Sequence, residues 1–131
     1  RVSRWLADAC AVIGFYRSAP GFPASVRGIL ENEPGNVVVP ATAIWEVAIK
    51  TALGRLPDIR TGGHASLAGM LAAHGFDLVS LDPATAEQAA NLPPFHADPF
   101  DRALVALAQR TGRTVLTSDR VIGRYGVPVS W

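Results

Sequence analysis

The stretch His96-Ala97-Asp98-Pro99-Phe100-Asp101-Arg102, together with the apolar residues 103–108 that follow it, does most to decide the fold. Asp98 and Pro99 form an N-cap and a first-turn proline, so they predict a helix that runs to about residue 111, where Gly112 ends it. Because residues 103–108 are apolar on all sides, we expect this helix to lie centrally in the domain.

Short apolar runs alternate with helical patterns on both sides of this helix, which predicts an α/β domain with a mainly parallel five-stranded sheet. The predicted strands occupy residues 4–8, 36–39, 77–81, 114–117 and 127–129. The other predicted helices occupy residues 11–16, 24–32, 43–53, 66–73 and 83–91, and residues 120–125 are a candidate for a further short one.

The composition indicates a single globular unit. The chain has 131 residues, 49% of them hydrophobic and 18% charged, so we expect residues 1–131 to form one domain. Cys10 is the single cysteine, which favours a reducing compartment, here the cytoplasm. No segment approaches the ~18 apolar residues of a membrane span, so no membrane partner is expected. Because the sequence opens on Arg1, we expect the native start to have been trimmed or to lie outside it.

Two acids stand at the ends of predicted strands. Asp8 ends the first strand, and Asp119 follows the fourth. Ligands of parallel sheets bind at the carboxyl ends of the strands, so these positions indicate a site. Each acid could instead cap a turn or a short helix.

Glu46 interrupts an apolar helix. Apolar residues cover most of the circumference of residues 43–53, so we expect this helix to be largely buried. A buried carboxylate is costly unless it is paired or bound to a metal. Glu46 and Lys50 are also spaced to form an ordinary i,i+4 surface pair, which is the alternative interpretation.

The central helix carries two more acids with structural explanations of their own. Asp98 is a complete N-cap, and Asp101 falls in the first turn, where an acid complements the helix dipole. Four acids placed at strand ends or helix starts nevertheless favour a shared site. Carboxylates are the ligands of Mg²⁺ and Mn²⁺, and such a centre can direct a water at phosphorus, which favours phosphodiester hydrolysis over acyl chemistry.

The remaining charges fit a phosphate substrate. If four of the 11 acids belong to one site, 7 acids are left against 12 bases, which predicts a positive rim around an acidic pocket. An arginine-rich composition without function is the alternative. The three histidines lack the spacing of a zinc site, and no glycine-rich phosphate loop is present in the sequence.

Four motifs resemble the PIN-domain ribonucleases, and in particular one branch of the VapC toxins. WLAD at residues 5–8 resembles the opening strand of PIN domains, and LTSD at 116–119 resembles their fourth-acid motif. WEVAIK at 45–50 and HADPFDR at 96–102 resemble specific motifs of that VapC branch. The branch usually has Asp-Thr-His where this chain has Asp8-Ala9-Cys10.

The resemblance implies a PIN-like three-layer α/β/α fold and the toxin of a toxin–antitoxin pair, an endoribonuclease that depends on Mg²⁺ or Mn²⁺. It implies an RNA substrate, a homodimer, and a small cognate antitoxin whose basic segment blocks the acidic pocket. The implied catalytic and metal-binding residues are Asp8, Glu46, Asp101 and Asp119. Asp101 is preferred to Asp98 because it lies two turns before Ala108, as the family's metal acid does. The implied supporting residues are Asp98, Thr117, Ser118 and Arg102.

Two alternatives remain open. One is a nuclease of another class, acting on DNA or on 5′ flaps with the same acids. The other is a catalytically decayed PIN domain that acts as a binding partner. Digestion of RNA against DNA separates the nucleases, and a metal titration separates decay from activity.

Overall fold

The sheet is five-stranded and entirely parallel. The structure is a computed structural model that describes residues 4–131; the beginning of the chain around Arg1 lies outside the described residues. The strands are β1 (Trp5–Ala7), β2 (Val37–Pro40), β3 (Asp77–Val79), β4 (Thr114–Leu116) and β5 (Val129–Ser130). Their spatial order is β3-β2-β1-β4-β5, with β1 at the centre. The α/β prediction is therefore confirmed.

Helices connect the strands. The α-helices are α1 (Ala9–Tyr16), α2 (Ala24–Asn32), α3 (Ala41–Ala52), α4 (Leu67–Ala73), α5 (Pro83–Ala90) and α6 (Pro99–Thr111). Short 3-10 helices occupy Pro34–Asn36 and Arg120–Tyr125. Helix α6 ends where predicted, with Gly112 in the left-handed region at φ +67°. Within residues 4–131, no helix combines the length and the apolar character needed to cross a membrane.

The alternation of side chains along the strands divides the core into two layers on either side of the sheet. Leu6, Val38 and Val115 point to one face, where Leu104 and Val105 of α6 cover them. The opposite core combines the remaining strand side chains with buried residues of α1 to α4: Ala7, Val37, Val39, Leu116, Ala11, Val26, Val47 and Leu71. The result is the three-layer arrangement, with α6 as the central helix of its layer.

The prediction that α3 is largely buried is wrong. Only Thr42, Ala43 and Val47 of this helix are buried. The side chain of Trp45 is 59% exposed, although its ring meets that of Phe100 edge-on at 5.0 Å. Helix α3 has one face against the core, and several of its apolar residues point outward.

The last strand lies further along the chain than predicted. Residues 127–129 were expected, whereas the paired residues are Val129 and Ser130. Val127 is buried in the core on the α6 side. Pro128 has no N–H to donate to a strand, and its carbonyl accepts a hydrogen bond from the Val115 N–H at 2.9 Å. Parallel pairing with β4 therefore begins at Val129.

Candidate active site

A cavity of about 520 Å³ lies at the carboxyl ends of β1 and β4. Asp8 follows β1 directly, and its N–H donates to the Leu116 carbonyl of β4 at 3.3 Å. The polar and charged residues that line the cavity are Asp8, Cys10, Glu46, Lys50, Asp101, Thr117, Ser118 and Asp119. The four acids singled out in the sequence thus share one cavity, and their chemical roles stay predictions.

Asp8 has a structural role as well as its place in the cavity. Its carboxylate accepts from the Ala11 N–H at 3.0 Å and caps α1. Burial raises the pKa of Asp8, against the opposing effect of hydrogen bonds from Cys10, Thr117 and the α1 backbone. Asp8 therefore caps α1 and also lines the cavity, and its role in a metal site stays a prediction.

Cys10 is a protonated thiol at neutral pH. Burial, followed by the charge of Asp8, raises its pKa to about 12. Its Sγ lies 3.6 Å from the Ser118 hydroxyl and 3.9 Å from that of Thr117. Cys10 therefore joins the end of β1 to the loop after β4, at one of the two positions where this chain departs from the VapC branch.

Glu46 forms the ion pair that the sequence allowed, and it also lines the cavity. Lys50 Nζ donates to Glu46 Oε2 at 2.9 Å. The hydrogen bond to Glu46 is the main cause of a raised pKa of Lys50, and the charges of Asp98 and Asp101 add to it. Lys50 therefore compensates part of the negative charge of the cavity.

The surroundings of Asp101 raise its pKa. Burial is the main cause that raises its pKa to about 6, and the charges of Asp98, Glu46 and Asp119 raise it further. Nearby His96 acts in the opposite direction. Burial and the neighbouring carboxylates thus disfavour the charged form of Asp101.

Asp98 caps α6, as predicted. Its carboxylate accepts from the Phe100 N–H at 2.8 Å, and Pro99 occupies the first helical position. The side chain is exposed and is not among the residues that line the cavity. The helper role assigned to Asp98 stays a prediction.

His96 is a residue that the sequence interpretation passed over. Its Nε2 lies 2.7 Å from Asp119 Oδ2, and its Nδ1 lies 3.0 Å from the Tyr125 hydroxyl. The other Asp119 oxygen accepts from the Val121 N–H at 3.0 Å, and the Asp119 N–H donates to the Thr117 hydroxyl at 3.0 Å. Hydrogen bonds with three partners therefore fix the position of Asp119.

The imidazole of His96 is only 11% exposed, and donor atoms of His96, Asp101 and Asp119 lie within 4.8 Å of one another. The sequence offered one signal for this position: His96 opens the HADPFDR motif, two residues before the helix cap. A lone histidine without zinc-like spacing is more often structural, so this signal alone does not predict its contact with Asp119.

Arg102 organises the loop that carries His96. Its guanidinium donates to five backbone carbonyls, at distances of 2.8–3.3 Å, those of Ala89, Ala90, Leu92, Pro93 and His96. These contacts join the first turn of α6 to the end of α5 and to the whole connecting loop. Arg102 positions the backbone of this loop and is not among the residues that line the cavity, so its supporting role stays a prediction.

The donor set fits a hard divalent cation. The four acids supply carboxylate oxygens, which Mg²⁺ and Mn²⁺ prefer. Burial is the main cause of the raised pKa of Asp101, and the charges of the neighbouring acids raise it further, so a bound cation would favour its charged form. Donor atoms of Asp101 and Asp119 lie within 4.8 Å of each other and of His96, and Asp8 and Glu46 line the same cavity.

The fold and the cavity define an α/β domain that gathers acids at the carboxyl ends of adjacent parallel strands. The sequence pattern of the PIN domain matches residues 6–128. The chain therefore belongs to the PIN domain family, as the motifs indicated. A search of the curated proteins found no match.

Solved structures with the same fold include two Fit complexes. One is FitAB bound to an IR36 DNA fragment, with a TM-score of 0.66 and 17% sequence identity, over 96% of this chain and 93% of that chain. The other is FitAcB from Neisseria gonorrhoeae, with a TM-score of 0.65 and 17% identity, over 95% of each chain. At this identity the likeness establishes a shared fold.

Proposed function

We propose that this protein is a metal-dependent endoribonuclease, the toxin of a toxin–antitoxin pair, formed by a single PIN domain. The observation that carries the proposal is the set of four acids, brought from four parts of the chain into one cavity. Membership of the PIN domain family supports a nuclease. The VapC-like motifs favour RNA as the substrate, a cytoplasmic homodimer and a small antitoxin as partner.

One group of residues would hold the ion, and a second group would position the residues of the first. Asp8, Glu46, Asp101 and Asp119 would hold Mg²⁺ or Mn²⁺, which supplies a polarised water and neutralises charge on the phosphate. His96 and Tyr125 keep Asp119 turned into the cavity.

Two further groups bear on binding at this site. Lys50, which is partly exposed beside Glu46, offers a cation to a phosphate oxygen. Thr117 fixes the backbone of Asp119. A basic antitoxin segment would complement the same negative cavity, which is how the partner would inhibit the enzyme.

Digestion of nucleic acid tests this function. We expect the purified protein to cleave single-stranded RNA in Mg²⁺ or Mn²⁺, to stop when EDTA is added, and to leave DNA of the same sequence intact. Cleavage of the DNA instead would favour the DNA-nuclease alternative, for which the DNA-bound FitAB relative is a reason to include this arm. No cleavage of either, with metal binding also absent, would favour the decayed-domain alternative.

Thermal unfolding tests the metal site independently of activity. Metal that binds only the native state should stabilise it by about 2.7 kcal/mol at a hundredfold excess over Kd. Because Asp101 binds metal in its charged form and has a pKa of about 6, the stabilisation should be larger at pH 8 than at pH 5. It should also shrink in Asp8→Asn. A melting temperature unchanged across a millimolar Mg²⁺ or Mn²⁺ series at pH 8 would contradict a functional site.

A further inference from the structure

One wall of the acidic cavity is aromatic. The cavity that contains the acids is also lined by Phe22 and Trp131, whose rings meet edge-on with centroids 5.2 Å apart. Trp131 is 41% exposed, although a large apolar side chain gains by burial. We call this pair the aromatic shelf. It shares the cavity with the carboxylates, and nothing in the proposed hydrolysis requires it.

The shelf is held in place by local structure. Ala19, Pro20, Gly21 and Phe22 form a tight turn in which the Phe22 N–H donates to the Ala19 carbonyl at 3.1 Å. Proline at the second position and Gly21 at φ +76° in the third are the requirements of a type II turn. The turn therefore directs Phe22 back toward α1.

The Phe22 ring packs directly against Gly14 of α1. A Cβ at position 14 would lie 2.5 Å from Cδ1 and 2.6 Å from Cε1 of Phe22, so any larger residue must displace the ring. A helix interior normally disfavours glycine relative to alanine. The glycine is explained here by the close approach of the aromatic side chain.

Cationic groups lie beside the shelf. The Arg27 guanidinium stands 5.2 Å from the centroid of the Phe22 ring. A smaller adjoining cavity shares Ile13, Ala19 and Pro20 with the acidic one and reaches Arg17, which is exposed. Aromatic faces beside arginines are the combination that binds single-stranded nucleic acid, because bases stack on the rings while cations contact the backbone.

We propose that the aromatic shelf is a stacking subsite for an unpaired nucleobase next to the phosphate that is cleaved. The inference rests on the proposed nuclease function and deepens it, because a base can stack there only when it is unstacked from its neighbours. The substrate class is therefore single-stranded or looped RNA rather than a continuous duplex. Trp131 acts as a binding and positioning residue, outside the group of acids.

Binding of a fluorescent RNA tests the subsite. The probe is a short single-stranded RNA with 2-aminopurine placed at successive positions, titrated in Ca²⁺ to slow cleavage. At one position the wild-type protein should quench the fluorescence by stacking, and an abasic residue there should weaken binding by about tenfold. Trp131→Ala should weaken binding of the intact RNA by a similar factor and should show no further loss with the abasic RNA. Trp131→Phe should restore most of the affinity.

Two more variants complete the design. Gly14→Ala, which displaces the Phe22 ring, should weaken binding of the intact RNA more than that of the abasic RNA. Trp45→Ala removes another exposed tryptophan, one that is not among the residues lining the cavity, and the variant should bind RNA as the wild-type protein does. Circular dichroism checks that each variant folds.

The possible outcomes distinguish the stacking-subsite proposal from the nuclease proposal. If the wild-type protein cleaves RNA but binds abasic and intact RNA equally, the shelf is not a stacking subsite and the nuclease proposal stands. If the wild-type protein cleaves no RNA, yet Trp131→Ala and the abasic residue each weaken RNA binding and their effects do not add, the stacking subsite is supported and the nuclease proposal is not. If a basic peptide, and no RNA, depends on Trp131 for binding, the shelf belongs to a protein partner and the inference is overturned.

Discussion

Asp101→Asn should abolish metal-dependent RNA cleavage, by about a thousandfold or more, and at the same time stabilise the metal-free protein at neutral pH. The loss follows because an amide keeps the shape of the side chain but removes a hard anionic ligand, and acids that share one centre act as a unit. Cleavage rates at saturating Mn²⁺ and melting temperatures in EDTA provide the two measurements.

The gain in stability follows from the sign of the pKa shift. The folded state raises the pKa of Asp101 from 3.8 to about 6, so folding favours the protonated form. The metal-free wild-type protein therefore loses stability as pH rises from about 4 through about 6, and Asn removes that dependence. Solvent around the half-exposed carboxyl reduces the size of the effect without changing its direction.

Asp98→Asn is the matched control, because Asn caps a helix as well as Asp and only the charge is lost. We expect it to retain most of the activity. An inactive Asp98→Asn beside an active Asp101→Asn would reverse the assignment of the third acid. If both variants remain active, the start of α6 contributes caps and no chemistry.

Arg102→Lys should destabilise the fold by about 3 kcal/mol and lower activity as well. An ammonium group can reach one or two of the five carbonyls that the planar guanidinium contacts, which leaves the others without a charged donor. The loop that carries His96 should then loosen, and with it the contact that holds Asp119. Urea unfolding measures the loss of stability, and hydrogen exchange of residues 89–98 locates it.

Arg110→Lys provides the control on the same helix. Arg110 is exposed and its guanidinium donates to Gln88 Oε1 at 3.3 Å, so its replacement should change stability by less than about 0.5 kcal/mol. Equal stability of the two variants would show that the five carbonyl contacts of Arg102 contribute little.

Local signals in the sequence predicted the features that depend on neighbouring residues. Asp98, Pro99 and Gly112 define both ends of α6, and the structure places both ends there. The strand ends marked by Asp8 and Asp119 came together because parallel strands present their carboxyl ends at one edge. The family motifs then supplied Asp101, whose position in the first turn of a helix has an equally good local explanation.

The features that escaped prediction depend on contacts across the chain. His96 gains its place from Asp119 and Tyr125, far along the sequence, and a single histidine gives no spacing to recognise. Helix α3 is apolar on several sides, yet its burial depends on what surrounds it, and Trp45 remains in solvent. The shift of the last strand reflects the register of β4 with β5, which apolar composition does not determine.

The central position of β1 also bears on when the acidic cavity can form during synthesis. Asp8 leaves the ribosome early, but its neighbouring strand β4 (Thr114–Leu116) and the acid that follows that strand are made much later in the chain. At about 5–20 residues per second, the nascent chain spends on the order of ten seconds without a partner for one edge of β1. The four acids therefore cannot share one cavity until residue 119 has left the ribosome, so every shorter nascent chain lacks part of this cavity.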